Sequence, residues 1–203
     1  RRKSCTGGLW HIKEELRRRG PVRLFRSLES RTFTHLIQFV SMDSVFRDIR
    51  RKDRVLSCDA AWKLLERGEY GFLAMQGMNG YGYGIPLSYA MRDRSLYFHC
   101  APSGFKLDSL DVCDRVSFCV VGRTEVMPAR FTTAYESALA FGRIRRSLPE
   151  AERLEALRLL AAKYSPDYRE TAEKYIAGSF GRTEVLRLDI EHVTGKGKRI
   201  ETK

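Results

Sequence analysis

Two stretches near the middle of the chain alternate between apolar and small or polar residues. Over 85–91, Ile85, Leu87, Tyr89 and Met91 fall on one side, and Pro86, Ser88 and Ala90 on the other. Over 96–100, Leu96, Phe98 and Cys100 share a side, with Tyr97 and His99 opposite. A period of two marks a half-buried strand. Arg92-Asp93-Arg94-Ser95 between them predicts a turn, so the two stretches predict a hairpin. Further strands are predicted over 70–75, 116–122, 135–146 and 183–190. In the third of these Ala138, Ala140 and Gly142 line one side; in the last Leu186, Leu188 and Ile190 point inward. Helices are predicted over 60–67, capped by Asp59 and closed by Gly68, and over 107–112. Another follows Ser147-Leu148-Pro149-Glu150, which has the spacing of a capping box, and puts Leu154, Leu157 and Ala161 on one face. A last helix is predicted over 167–177. Six strands, mostly antiparallel, with helices between some of them, predict a mainly β, α+β fold built on a small barrel.

Composition refines this picture at the N-terminus. At 203 residues the chain suits one domain with a sizeable core. Its net charge of +12 raises the question of nucleic acid. Residues 1–41, however, hold ten of the 37 Lys/Arg against three of the 25 acids, so the excess belongs to a tail and the remainder is only mildly basic. That segment lacks a convincing period and the order of a signal peptide, while Met42-Asp43-Ser44-Val45 looks like a natural beginning. The expectation is a basic extension over 1–41 outside the fold, a domain over 42–203, and no nucleic-acid partner. No apolar run approaches the roughly 20 residues of a membrane span. Five cysteines (Cys5, Cys58, Cys100, Cys113, Cys119) form no C-x-x-C pair, and four histidines show no ligand spacing, so no metal site is predicted. Scattered thiols point to a reducing cytoplasm.

The chemical candidates cluster where the second alternating stretch ends. Tyr97-Phe98-His99-Cys100-Ala101-Pro102-Ser103-Gly104-Phe105-Lys106 reads as a strand running into a Pro/Ser/Gly loop that opens a helix. Such a loop can aim backbone N–H groups at an anion, with Ser103 donating beside them and Lys106 adding a full charge. Taken alone, Lys106 also reads as a solvated surface lysine, and His99 as a satisfied interior residue. As a site residue, His99 hydrogen-bonds a ligand or passes a proton near neutral pH. Gly80-Tyr81-Gly82-Tyr83-Gly84 reads as a hairpin connection, or as backbone brought close to a flat ligand with Tyr83 touching it. Pro86 cannot donate to a ladder and marks an edge, a bulge or a strand start. The hydroxyls of Ser137, Thr132 and Thr133 either reach a ligand or decorate a strand. There is no nucleophile elbow, zinc-protease helix, Walker loop or dinucleotide fingerprint.

In order along the chain, four segments resemble the FMN-binding split-barrel proteins related to pyridoxamine 5′-phosphate oxidase, and among them the nitroimidazole-resistance (Nim-type) branch. They are Tyr83-Gly84-Ile85-Pro86-Leu87-Ser88-Tyr89, the strand and loop from Leu96 to Lys106, the long strand from Phe131 to Gly142, and Val193-Thr194-Gly195-Lys196. The resemblance implies a six-stranded antiparallel split barrel, a homodimer with flavin at the interface, and FMN as cofactor, with FAD also accommodated. It implies that the backbone of Ile85, Pro86, Leu87, Ser88 and Tyr89 lines the isoalloxazine ring. Ser103 and Lys106 hold the phosphate, His99 sits beside the cofactor, and Ser137 and Lys196 approach the same site. Many relatives carry histidine where this chain has Phe105, which leaves more of the phosphate to Lys106. The implied activity is electron transfer through the flavin to or from a small molecule, a nitro compound among the acceptors, with His99 or Tyr83 orienting the substrate or donating a proton. The alternative is a non-catalytic flavin- or haem-type binding or sensor protein on the same scaffold.

Overall fold

The computed structural model describes residues 46–198; the extension expected over 1–41 lies outside them. Helix α1 (Cys58–Arg67) opens at Ser57, whose side chain accepts from the Ala60 N–H at 3.2 Å. The expected cap, Asp59, is already inside the first turn, where its carboxylate faces the positive end of the helix. Gly68 closes the helix as expected.

Seven strands follow: β1 (Tyr70–Gln76), β2 (Gly82–Ser88), β3 (Ala90–Arg92), β4 (Ser95–Cys100), β5 (Arg115–Met127), β6 (Thr132–Arg145) and β7 (Glu184–Lys198). All pairings are antiparallel, in the order β2-β1-β5-β6-β7-β4-β3. Strands β2 and β3 lie at opposite ends of that order, yet only Tyr89 separates them in the chain. The sheet therefore curls until its two ends are joined through one residue, and the α+β split barrel follows. Six strands were expected because the period of two runs unbroken over 85–91; the structure breaks that run at Tyr89.

The break is held from outside the sheet by α3 (Glu150–Tyr164). Lys163 Nζ donates to Gly68 O at 2.7 Å and to Tyr89 O at 2.9 Å, and stands 4.0 Å from the centre of the Tyr89 ring. The Tyr164 hydroxyl accepts from Tyr89 N at 2.8 Å and donates its one proton to Tyr89 O (2.7 Å) or Glu69 O (2.5 Å). The Tyr89 ring is fully buried, packs edge-on to Phe118 at 4.9 Å, and its hydroxyl donates to Leu65 O.

The barrel interior holds Leu73, Phe98, Phe118, Val120, Leu186 and Leu188, with Leu64 and Leu65 of α1 packed against them. Helix α1 comes close enough to β7 that a Cβ on Gly195 would stand 2.8 Å from the Ala61 Cβ, so only glycine fits there. Ala138, Ala140 and Gly142 share one side as expected, and that side is the buried one. A second cluster lies outside the sheet, where Tyr97 and Val185 meet Ala156, Leu157 and Leu160 of α3 and Ile176 of α4 (Arg169–Ser179). The capping box expected at Ser147 does not form. Ser147 has φ +53°, Pro149 is the N-cap, and no side chain caps α3, because the fixed proline ring sets the entry of the chain into the helix. Pro166–Tyr168 forms a 3₁₀ turn, so α4 starts two residues later than expected.

Candidate functional site

The loop after β4 closes on α2 (Phe105–Val112), two residues earlier than the spacing predicts. The change of direction is made at Gly104, whose φ of +132° only glycine adopts at low cost. No side chain caps α2. The Leu107 and Asp108 N–H groups both bond to Gly104 O, which leaves those of Phe105 and Lys106 without an acceptor among the described residues. Lys106 is half-buried and makes no ion pair among those residues. Its charge is felt at His99, whose pKa is held below 6.5, first by burial and then by repulsion from Lys106. Two free N–H groups, the exposed Ser103 and a half-buried cation on one loop form a ready seat for an anion.

Beside this loop the outer face of β2 is unusually bare. Gly82, Gly84, Pro86 and Ser88 point outward, while Tyr83, Ile85 and Leu87 pack against the barrel core. A Cβ on Gly82 would meet nothing within 4 Å, and one on Gly84 only Leu73 O at 3.9 Å. Strand β2 bonds to β1 alone, so Pro86 sits on a sheet edge where its missing N–H breaks no ladder. A flat ring can lie on this surface against exposed edge backbone, so the residues present fit a flavin.

His99 points to the same side as Tyr97, away from the barrel core. It opens, with Ser88, Cys100 and Ala101, into a cavity of about 830 Å³ roofed by α3 and α4. His99 thus touches open space yet has enough protein around it for burial to lower its pKa. The structure gathers Ser88, His99, Ser103 and Lys106 around one loop and cavity mouth. Tyr83 lies nearby, its ring 5.1 Å from that of Phe105, but on the core side of β2. Tyr89 offers only backbone, which α3 already occupies. Ser137 and Lys196 are cross-strand partners on β6 and β7, with Ser137 Oγ donating to Lys196 O at 3.4 Å. Along β7, Lys196 is on the order of 35 Å of strand from Val185, the partner of His99. Across the sheet, strands β1 and β5 separate the pair from Ser88, which pairs with Tyr70 on β1 while Ser137 pairs with Val121 on β5, so within one chain the structure does not bring Ser137 and Lys196 to the loop. Sequence reasoning missed the cavity roof, which includes Tyr164, Tyr168 and Tyr175. No local spacing announces them, since Tyr164 ends α3, Tyr168 closes a 3₁₀ turn and Tyr175 lies on α4.

A curled antiparallel sheet joined end to end at one residue, with a Pro/Ser/Gly loop between its fourth strand and a short helix, defines a split-barrel protein. The sequence profile of the Pyridoxamine 5′-phosphate oxidase family matches residues 57–197, and the chain belongs to that family. No curated protein sequence matches the chain significantly. Among solved structures it is similar to a candidate 5-nitroimidazole antibiotic resistance protein from Bacteroides thetaiotaomicron, with 19% identity and a TM-score of 0.58 over 70% of this chain and 86% of that one. It is similar to an FAD-binding protein from Mesorhizobium loti, with 25% identity and a TM-score of 0.51 over 72% and 98%. It is also similar to the flavocytochrome Anf3 from Azotobacter vinelandii, with 18% identity and a TM-score of 0.65 over 76% and 73%. Among the described residues no helix is long and apolar enough to cross a membrane, and no cluster of metal-ligating side chains occurs.

Proposed function

We propose that this protein binds FMN and works as a flavin-dependent oxidoreductase on a small molecule. The observation that carries the reading is the uncapped start of α2 beside Lys106, one strand away from the bare outer face of β2. On this reading Lys106, Ser103 and the Phe105 and Lys106 N–H groups hold the phosphate, and the backbone from Ile85 to Ser88 lies along the ring. Bound flavin supplies the redox chemistry. The chain's own residues orient the reactants: His99, mainly neutral at pH 7, can accept or donate a hydrogen bond at the cavity floor. Membership of the family and the flavin-binding relatives support this reading. The likeness to the nitroimidazole-resistance protein makes a nitro compound one acceptor to try first. Cys58, Cys100, Cys113 and Cys119 are free thiols, which fits a cytoplasmic protein.

The test is an anaerobic absorption spectrum with FMN and then NADPH. Bands at about 375 and 450 nm that bleach on adding NADPH are expected. Bound flavin that stays oxidised under excess reductant would favour a carrier or sensor, and a protein that takes up neither FMN nor FAD would sink the flavin reading. FAD binding tighter than FMN would extend the site past the phosphate loop.

The reading includes a homodimer. The outer faces of β1 and β5 leave Tyr70 53%, Phe72 46% and Val121 53% exposed, a patch of the kind that marks an interface. Ser137 and Lys196 lie beside it on the same sheet. Phe72→Glu with Val121→Glu is expected to convert a dimer to a monomer in light scattering and to weaken FMN binding with it. A wild-type protein that is monomeric at micromolar concentration would refute the dimer.

A further inference from the structure

The cavity above His99 is larger than a phosphate loop needs, and its chemistry is one-sided. Its walls are apolar (Leu157, Leu160, Ile176) and aromatic, with a few hydroxyls. A volume of about 830 Å³ with that lining is typical of a small-molecule pocket. Tyr168 and Tyr175 remain 66% and 72% exposed, so their rings are free to cover a ligand. No aspartate or glutamate lines the space, and its one full charge is Arg182. Glu184, two positions on, is not among the lining residues, although its strand partner Cys100 is. Arg182 makes no hydrogen bond or ion pair among the described residues. Yet the turn that carries it is fixed. Arg153 donates to Phe180 O at 3.2 Å and to Thr183 O at 2.7 Å, and its guanidinium stands 4.4 Å over the Phe180 ring. An unpaired, exposed cation carried on a fixed turn at the rim of a cavity lined by no carboxylate can meet a negative group there.

We propose that the space between α3 and α4 binds a planar aromatic anion, its ring between the tyrosines and above His99 and its carboxylate on Arg182, and that this is the substrate pocket. The role as substrate pocket rests on the flavin reading; the binding does not. A cation is disfavoured, because the cavity offers no carboxylate to pair it and Arg182 repels it.

The test is calorimetric titration of the full chain, with and without FMN, using 2-naphthoate and the cation 2-naphthylmethylammonium as probes. Naphthoate is expected to bind at least about tenfold more tightly than the cation. Arg182→Gln should lower naphthoate affinity roughly tenfold and leave the cation bound as well as before or better, since a like charge is removed. Tyr168→Ala with Tyr175→Ala should weaken both probes. FMN affinity should stay unchanged in every variant, and these exposed positions leave the fold intact, which a thermal melt checks. Equal binding of the two probes, or an Arg182→Gln protein that binds naphthoate as before, overturns the proposal. Competition between naphthoate and FMN also overturns it, and makes the cavity the seat of the flavin ring. The expected naphthoate pattern in a protein that takes up no flavin upholds the anion site and overturns its role as a substrate pocket.

Discussion

Lys106→Ala is expected to bind FMN about ten- to a hundredfold more weakly than the wild type, and to raise the pKa of His99. Both effects come from one charge. A hydrogen bond from an ammonium to a phosphate is worth more than a neutral one, on the order of 1.5–3 kcal/mol. The Phe105 side chain cannot take over, since it carries no donor. The His99 effect needs no cofactor. Burial lowers its pKa first and Lys106 second, so removing Lys106 lifts the pKa part of the way back toward 6.5. The sign of the stability effect follows. Below pH 6.5 the unfolded chain protonates this histidine while the folded one resists, so the native state loses stability as pH falls through the interval below 6.5. In Lys106→Ala that loss shrinks. Fluorescence titration gives the FMN affinity, and NMR titration of the His99 ring gives its pKa. An unchanged FMN dissociation constant would remove Lys106 from the site; an unchanged ring titration would show that its charge does not reach His99.

Lys163→Met is expected to destabilise the fold by about 2–4 kcal/mol in urea unfolding. Methionine keeps the length of the side chain but donates nothing to Gly68 O or Tyr89 O, and it gives up the cation above the Tyr89 ring. Those groups sit at the one residue that joins the two ends of the sheet. A loss under about 0.5 kcal/mol, the range of ordinary surface changes, would mean that the β1–β2 and β3–β4 ladders hold the junction without help from α3.

The same junction marks where sequence reading stops. Alternation separates the two faces of 85–91 and 96–100 correctly, but it does not show that Ala90 and Tyr97 on the other face are also buried, since α3 covers them. It cannot find the break at Tyr89. Tyr89 continues the pattern, and the groups that stop the ladder come from Lys163 and Tyr164, about seventy-five residues away. Likewise β5 runs on to Met127, through Arg123 and Glu125, where polar residues hide the period and pairing with β6 alone sustains the strand. The strand–loop–helix layout from Ser95 to Val112 was legible because Pro, Ser and Gly act locally through backbone geometry. The cavity was not. Tyr168, Tyr175 and Arg182 meet His99 only through the packing of α3 and α4 over β4. Ser147 shows the opposite failure, a local motif with the right spacing, displaced by the positive φ of its own backbone.

Strand β7 lies between β6 and β4, and is the last element of the barrel to leave the ribosome. It contributes Leu186 and Leu188 to the interior and accepts the Leu56 N–H at Gly195 O. A nascent chain that ends before Glu184 therefore presents two open strand edges at once, with Phe98 and Leu96 uncovered beside one of them. Synthesis and closure are coupled: the barrel cannot complete its core until β7 has been made, and until then its uncovered apolar strands are open to aggregation.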